Sequence, residues 1–173
     1  ILEEKDDINS IQDELILKID ENDKPYFEYT STSDSGKRAE ELLFKRDRGM
    51  NEEFEKALRK DEDMDESEDL TDKQIEKIND KLMEVTADES FNYLVKLHKL
   101  IKLLNPTDEE MKKYKEMSGE ELTNILLQNY TRQQLRKYMV VLDALRLKSL
   151  NGYESVTIAK NINKETAFII YQK

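Results

Sequence analysis

The chain has 173 residues, of which 37% are hydrophobic and 39% charged, and it contains no cysteine. This length is enough for one domain whose hydrophobic core needs no disulfide or metal. The lack of cysteine excludes disulfides, cysteine-ligated zinc and thiol nucleophiles, and only four glycines and two prolines favour helices over a turn-rich sheet protein.

Charge is distributed unevenly along the chain. Residues 1–72 carry 25 acidic and 11 basic residues, a net charge of −14, whereas residues 73–173 have a net charge of +3. This asymmetry predicts an acidic N-terminal arm, residues 1–69, followed by a helical bundle domain, residues 70–173.

The first segment of the arm is compatible with two kinds of secondary structure. Ile8, Ile11 and Leu15 have helical spacing, but the end of the same segment alternates like a strand. An aromatic, strand-favouring segment follows a turn-rich stretch, so a hairpin joining 14–19 to 26–30 is the second interpretation. We then expect a flexible loop to Gly36.

Two short helices are expected next, over residues 37–47 and 51–60, with Asn51 as the N-cap of the second. The first is expected to bury Leu42 and Leu43. Residues 61–69 contain one hydrophobic residue in nine, which predicts a mobile acidic linker. The linker superficially resembles a calcium loop, but the glycine and long carboxylate that such a loop needs are missing.

Helix starts are well marked after residue 70. A capping box pairs a Ser or Thr hydroxyl with a Glu or Gln three residues later. Four such pairs occur: Thr71–Gln74, Thr107–Glu110, Ser118–Glu121 and Thr131–Gln134. The helices that they and the hydrophobic spacing predict are 72–85, 89–104, 108–116, 119–129 and 132–150.

The fold class that these elements predict is mainly α, a multi-helix bundle with an acidic N-terminal arm and one small β-hairpin. Helix 132–150 has the widest hydrophobic face, so we expect it to be the best-buried helix, ending near Gly152. The tail over 155–171 is compatible with a hairpin or a helix, and we favour the helix.

No residue pattern indicates catalysis, a metal or a cofactor. His98 is the single histidine, without a second histidine at ligand spacing, and we interpret it as a partly buried packing residue. Nucleotide-binding, hydrolase and kinase motifs are missing from the sequence. Asp143, on the most hydrophobic helix, is expected to pair with Arg146 and to fix packing rather than perform chemistry.

Candidate binding residues fall into two groups. One is the aromatic set Tyr26, Phe27 and Tyr29, and the other is a basic set on the predicted helices. The basic set consists of Lys96, Lys99, Lys102, Arg132 and Arg136. The favoured function is a non-enzymatic protein–protein interaction or regulatory domain.

Nucleic-acid binding by the basic C-terminal helices is the alternative function. It is less expected, because phosphate binding needs a concentrated positive field and few aromatic residues lie among the basic ones. The basic set is also compatible with contact to the chain's own acidic arm. The identity of a partner protein stays open.

The sequence predicts no membrane span, because charged residues interrupt every hydrophobic run. A chain without cysteine is compatible with the cytosol, which we favour, and leaves a secretory or organellar location open. Because the sequence begins at Ile1, we expect it to be a fragment or a processed form.

Overall fold

The computed structural model describes the backbone of residues 13–151 and the side chains of residues 13–146. Within this range a two-stranded hairpin is followed by seven α-helices and one 3-10 helix. This confirms the predicted fold class. The interpretations that concern residues 1–12, Gly152 and the tail over 155–171 lie outside the described residues.

The hairpin consists of β1 (Leu17–Ile19) and β2 (Pro25–Phe27), which pair antiparallel with Lys18 opposite Tyr26. The Asp20 carboxylate accepts hydrogen bonds from the backbone N–H groups of Asn22 and Lys24, at 2.8 and 2.9 Å, and so shapes the turn. Of the two interpretations of this segment, the hairpin is therefore confirmed, with shorter strands than expected.

The helices then follow in chain order, and their bounds lie close to the predicted ones in most cases. They are α1 (Asp34–Asp47), α2 (Glu52–Asp61), α3 (Asp72–Glu84), α4 (Ala87–Leu97), the 3-10 helix (Leu100–Leu104), α5 (Asp108–Lys115), α6 (Gly119–Leu126) and α7 (Arg132–Asn151).

Side-chain caps fix most helix starts. All four predicted capping boxes form, with both hydrogen bonds present in each. A fifth box, Thr86 with Glu89, begins α4 two residues before the predicted start. Asn51 occupies the predicted N-cap position of α2, but its backbone is already helical and its side chain makes no cap hydrogen bond.

The prediction of one continuous helix over 89–104 is wrong. Helix α4 ends at Leu97, Lys99 adopts a left-handed conformation with φ of 54°, and a 3-10 helix follows. A left-handed residue other than glycine costs about 1–2 kcal/mol. The turn nevertheless lets Leu100 and Ile101 enter the core at 2% and 3% exposure, and burying two such side chains contributes more than that cost.

The main hydrophobic cluster joins the hairpin, α1, α4, the 3-10 helix, α6 and α7. Leu15, Leu17 and Ile19 belong to it, so the arm and the bundle share this core. Helix α4 lies at its centre, with Phe91, Leu94 and Val95 all fully buried. Helix α7, expected to be the best buried, has two hydrophobic residues among the buried ones within its described side chains, Leu135 and Met139.

A smaller cluster lies between α1, α2 and α3. Met50, Ile78 and Leu82 are buried in it, and Leu42 packs against them. Leu43 was expected to be buried too, but it is 62% exposed. It lies about 100° around the helix from Leu42, and the cluster covers only the Leu42 side.

The acidic segment between α2 and α3 consists of turns with mainly exposed side chains. Arg59 donates hydrogen bonds to the carbonyl oxygens of Asp65 and Glu68, at 2.7 and 2.8 Å. The segment is thus held against the end of α2 by one guanidinium group. The predicted mobility of this linker stays a prediction.

Helices α4 and α6 approach closely at Gly119, the first residue of α6. A β-carbon at this position would lie 2.3 Å from the carbonyl oxygen of Asn92, a backbone atom that cannot rotate away. Glycine is therefore required for the close contact rather than for an unusual backbone conformation.

We predict that Gly119→Ala lowers the free energy of unfolding by about 1–3 kcal/mol, because α6 must move away from α4. Urea unfolding followed by circular dichroism measures the change. Asn124→Ala, at an exposed position of the same helix, is the control and should leave stability unchanged or slightly raised. Equal stability of Gly119→Ala and the wild type would contradict the close approach.

Candidate functional site

A buried ion pair connects two distant parts of the chain. The guanidinium of Arg48, just after α1, donates two hydrogen bonds to the Asp143 carboxylate of α7, one of them 3.0 Å from Nε to Oδ1. A third bond, of 2.9 Å, goes to the carbonyl oxygen of Phe44, whose ring lies 4.2 Å below the guanidinium. Arg48 and Asp143 are only 7% and 6% exposed, so each charge depends on the other for its compensation.

The predicted partner of Asp143 was Arg146, and the structure corrects this. Arg146 instead donates to the carbonyl oxygen of Asp47. An ion pair between residues three apart on one helix forms only when neither side chain is held by another partner. Here Arg48 offers the Asp143 carboxylate a bidentate bond, which is the stronger arrangement.

His98 lies beside this pair. Its side chain is 6% exposed, and its Nε2 atom is 3.7 Å from Oδ1 of Asp143. That distance is too long for a hydrogen bond, and Nε2 has no hydrogen-bond partner among the described residues. His98 is thus a buried residue at the C-terminal end of α4, in agreement with its interpretation as a packing residue.

The pKa of the Asp143 carboxyl group reflects this environment. Burial raises the pKa, but the neighbouring His98 and Arg48 lower it by more, so that the pKa lies below the ordinary value of 3.8. Since His98 is not in hydrogen-bonding contact, we attribute the lowering mainly to the Arg48 guanidinium. Asp143 is therefore a carboxylate at neutral pH.

A second buried cation lies on α1. Lys45 is fully buried, and its ammonium group donates to the Glu41 carboxylate at 2.7 Å and to the carbonyl oxygens of Leu82 and Val85 at 2.6 and 2.8 Å. The two carbonyls belong to the C-terminal end of α3, where a positive charge is favourable. All three donors of Lys45 are thus satisfied, and its role is to hold α1 and α3 together.

Arg132 and Arg136, two of the predicted binding residues, contact the N-terminal arm. Arg136 donates to both oxygens of the Asp13 carboxylate, at 2.7 and 2.8 Å, and to the carbonyl of Leu17 at 2.6 Å. The backbone N–H of Arg132 donates to the Asp23 carboxylate at 2.9 Å. These two residues therefore hold the hairpin against α7.

Two of the three residues of the aromatic set contact other side chains of the same chain. The ring of Phe27 packs edge-on against that of Phe44, with centroids 5.8 Å apart. The Tyr29 hydroxyl donates to Glu41, and burial followed by this bond raises the pKa of Tyr29. Tyr26 is 39% exposed and is the member of the set that most faces solvent.

The remaining members of the basic set line two different grooves. Lys96 lines a groove of about 510 Å³ between α4 and the start of α6, together with Glu89, Glu120 and Tyr93. Its ammonium group donates to the carbonyl of Met117 at 2.9 Å. We call this cavity the α4–α6 groove. Acidic and basic side chains both line this groove.

Lys99 and Lys102 border a second cavity, of about 480 Å³, which we call the lysine-rimmed groove. Its walls come from the 3-10 helix and the loop after it, from α5 and from α7. The hydrophobic members are Leu100, Leu103, Pro106, Met111, Tyr138 and Leu142. The polar members are His98, Lys99, Lys102 and Asn105.

The structure therefore separates the three lysines of the basic set. The left-handed turn at Lys99 separates Lys96 from the other two. No direct signal in the sequence indicated the lysine-rimmed groove, because its walls are up to 44 residues apart, from His98 to Leu142. Asn105–Pro106, which ends the 3-10 helix and turns the chain towards α5, was the one local indication.

Comparisons with protein-family models, with curated proteins and with solved structures find no match for this chain. Over the residues that the structure describes, no helix is long and hydrophobic enough to cross a membrane. Within the same residues, no group of three or more histidine and acidic side chains is placed to hold a metal ion.

We predict that Asp143→Ala lowers the free energy of unfolding by about 3–5 kcal/mol, because it leaves the Arg48 charge buried without a partner. Urea unfolding at pH 7 measures the effect. The double variant Arg48→Met/Asp143→Leu removes both charges and should be more stable than Asp143→Ala. A double variant as unstable as the single one would contradict this account of the pair.

The lowered pKa of Asp143 also predicts a pH dependence. The carboxylate contributes stability that is complete above its unfolded-state pKa, about 3.9, and is lost as the pH falls through the lower folded-state value. The stability difference between wild type and Asp143→Asn should therefore be constant above about pH 5 and shrink in more acidic solution. Unfolding free energies from pH 7 to pH 2 test this, and a difference that grows on acidification would contradict it.

Proposed function

We propose that this chain is a non-enzymatic protein–protein interaction or regulatory domain that holds a hydrophobic segment of another protein in the lysine-rimmed groove. The observation that carries the proposal is the groove itself, in which six hydrophobic side chains from separate elements surround about 480 Å³ of open space. Cavities of roughly 300–1,000 Å³ with hydrophobic walls and a few polar groups are typical of binding sites.

The side chains that form the walls of the groove pack against the main hydrophobic cluster. Leu100 is 2% exposed and belongs to the main cluster, while Leu103, Met111, Tyr138 and Leu142 pack against that cluster and remain partly exposed. Each of them has one side in the core and another towards the groove. A partner would therefore meet a surface that is already positioned, which reduces the ordering cost of binding.

The surroundings of His98 support a function without catalysis. The groove next to His98 has mainly hydrophobic walls, and the nearest carboxylate, Asp143, is already engaged by Arg48. An acid–base role needs a reacting group within hydrogen-bond reach of the imidazole. No described side chain supplies one, since Nε2 is without a partner there.

The other predicted surfaces support the proposal less well. Phe27 and Tyr29 contact side chains of α1, which leaves Tyr26 as the exposed part of the aromatic set. The alternative of nucleic-acid binding depends on the basic residues of the C-terminal helices. Arg136 already bonds to the Asp13 carboxylate of the arm, and this reduces the positive charge available to phosphates.

We predict that the double variant Leu103→Ala/Met111→Ala weakens partner binding about tenfold or more, because truncating buried anchor contacts typically costs about 1–2 kcal/mol each. A photoreactive amino acid at position 102 in the otherwise unchanged chain should crosslink to the same partner. Co-purification from the native source followed by a binding titration with the purified partner measures the affinity.

The matched control is Asn92→Ala/Glu120→Ala, which changes the α4–α6 groove and should leave the affinity unchanged. Tyr26→Ala tests the aromatic surface in the same titration. Thermal unfolding of each variant verifies that it is folded. Loss of binding in the control or in Tyr26→Ala, with full binding by the groove variant, would refute the proposal.

A further inference from the structure

We infer that the segment bound in the lysine-rimmed groove is an amphipathic helix with acidic residues beside its hydrophobic face. This inference rests on the proposed function and adds the chemistry of the partner. It depends on three features of the described residues: two lysines at the rim that no neighbouring acid engages, a floor whose charge is already compensated, and walls that offer no free strand edge.

The rim lysines differ from the ion-paired cations described above. Lys99 and Lys102 are exposed, and neither forms an ion pair within the described part of the chain. In contrast, Lys45, Arg48 and Arg136 each bond to a carboxylate of the same chain. Two cations at the edge of a hydrophobic surface favour a partner with carboxylates at the matching positions.

The local backbone fixes where these two side chains begin. Lys99 follows α4 with its N–H bonded to the carbonyl of Lys96, and the N–H of Lys102 bonds to the carbonyl of Lys99, both at 3.1 Å. Lys99 is thus the left-handed residue just before the 3-10 helix, and Lys102 is the third residue of that helix. Both border the groove, so they form a paired positive rim.

The buried carboxylate beside the groove-lining residue His98 is already compensated. Asp143 lies next to His98, but its carboxylate is neutralised by the bidentate bond from Arg48. Most of the acidic residues belong to residues 1–72, which carry a net charge of −14. The groove is built from residues between His98 and Leu142, in the part of the chain whose net charge is +3.

The shape of the site favours a helix over an extended segment. Addition of a strand requires a free sheet edge, and the groove is lined by residues of helices and a loop rather than of strands. The outer side of β1 is also occupied, because Arg136 and Gln133 donate to the carbonyl oxygens of Leu17 and Ile19. A helix can instead place side chains at i, i+3, i+4 and i+7 into a hydrophobic groove.

The test uses two synthetic helical peptides that share one hydrophobic face and carry either glutamate or lysine at the flanking positions. We expect the glutamate peptide to bind the full chain roughly tenfold more tightly than the lysine peptide at low salt, and the difference to shrink as salt rises. Lys99→Glu/Lys102→Glu should reverse the preference. Lys73→Glu/Lys81→Glu, on α3 and with the same change in net charge, should leave it unchanged.

The outcomes separate the two proposals. Equal binding of both peptides, abolished by Leu103→Ala/Met111→Ala, would overturn the acidic-partner inference and leave the proposed function standing. Absence of binding by either peptide would overturn both. If Lys73→Glu/Lys81→Glu also reverses the preference for the glutamate peptide, the preference comes from net charge. That result would overturn the role of the rim. Binding of a single-stranded oligonucleotide that Lys99→Glu/Lys102→Glu abolishes would overturn the inference of an acidic helical partner.

Discussion

The buried pair of Arg48 and Asp143 constrains the arrangement of the whole bundle. Two charges removed from water are tolerated only when their geometry is good and their remaining donors and acceptors are satisfied. Arg48 meets this condition through bonds to Asp143 and to the carbonyl of Phe44, and through the ring below it. The C-terminal end of α1 and the middle of α7 must therefore keep a fixed separation, although the two partners are 95 positions apart in the sequence. Tyr93 adds to this constraint by donating to the carbonyl of Arg48 at 2.7 Å.

The same principle explains how an acidic arm and a near-neutral bundle pack together. Cations of one part bond to acceptors of the other: Arg136 to the Asp13 carboxylate, Arg132 to the carbonyl oxygen of Asp23, and Lys45 of the arm to the end of α3. The hairpin leucines complete the main core from the arm side. The division into residues 1–69 and 70–173 stays a prediction, but the described parts of the two share a core and several ion pairs. Separating them would expose both hydrophobic surface and unpaired charge, which is unfavourable on both counts.

The sequence predicted the features whose causes are local. A capping box depends on residues three apart, and hydrophobic spacing depends on one turn of helix, so these could be read without knowing the fold. The partner of Asp143 was missed because local spacing pointed to Arg146, whereas the actual partner is distant along the chain. The break after Leu97 was missed for a similar reason. Nothing in the run from Leu97 to Leu104 forbids a helix, and only the core, by burying Leu100 and Ile101, favours the turn.

That turn also accounts for the position of the candidate site. In a continuous helix, Lys96, Lys99 and Lys102 would share one exposed face. Leu100 and Ile101 would then lie on a straight extension of α4. The left-handed residue at Lys99 redirects the chain, so that the 3-10 helix and the loop after it face α5 and α7 across a gap. One backbone change thus buries two hydrophobic residues, forms one wall of the groove, and leaves two lysines at its edge. The folding requirement and the proposed binding surface therefore have the same origin, because the segment that completes the core on one side presents the groove on the other.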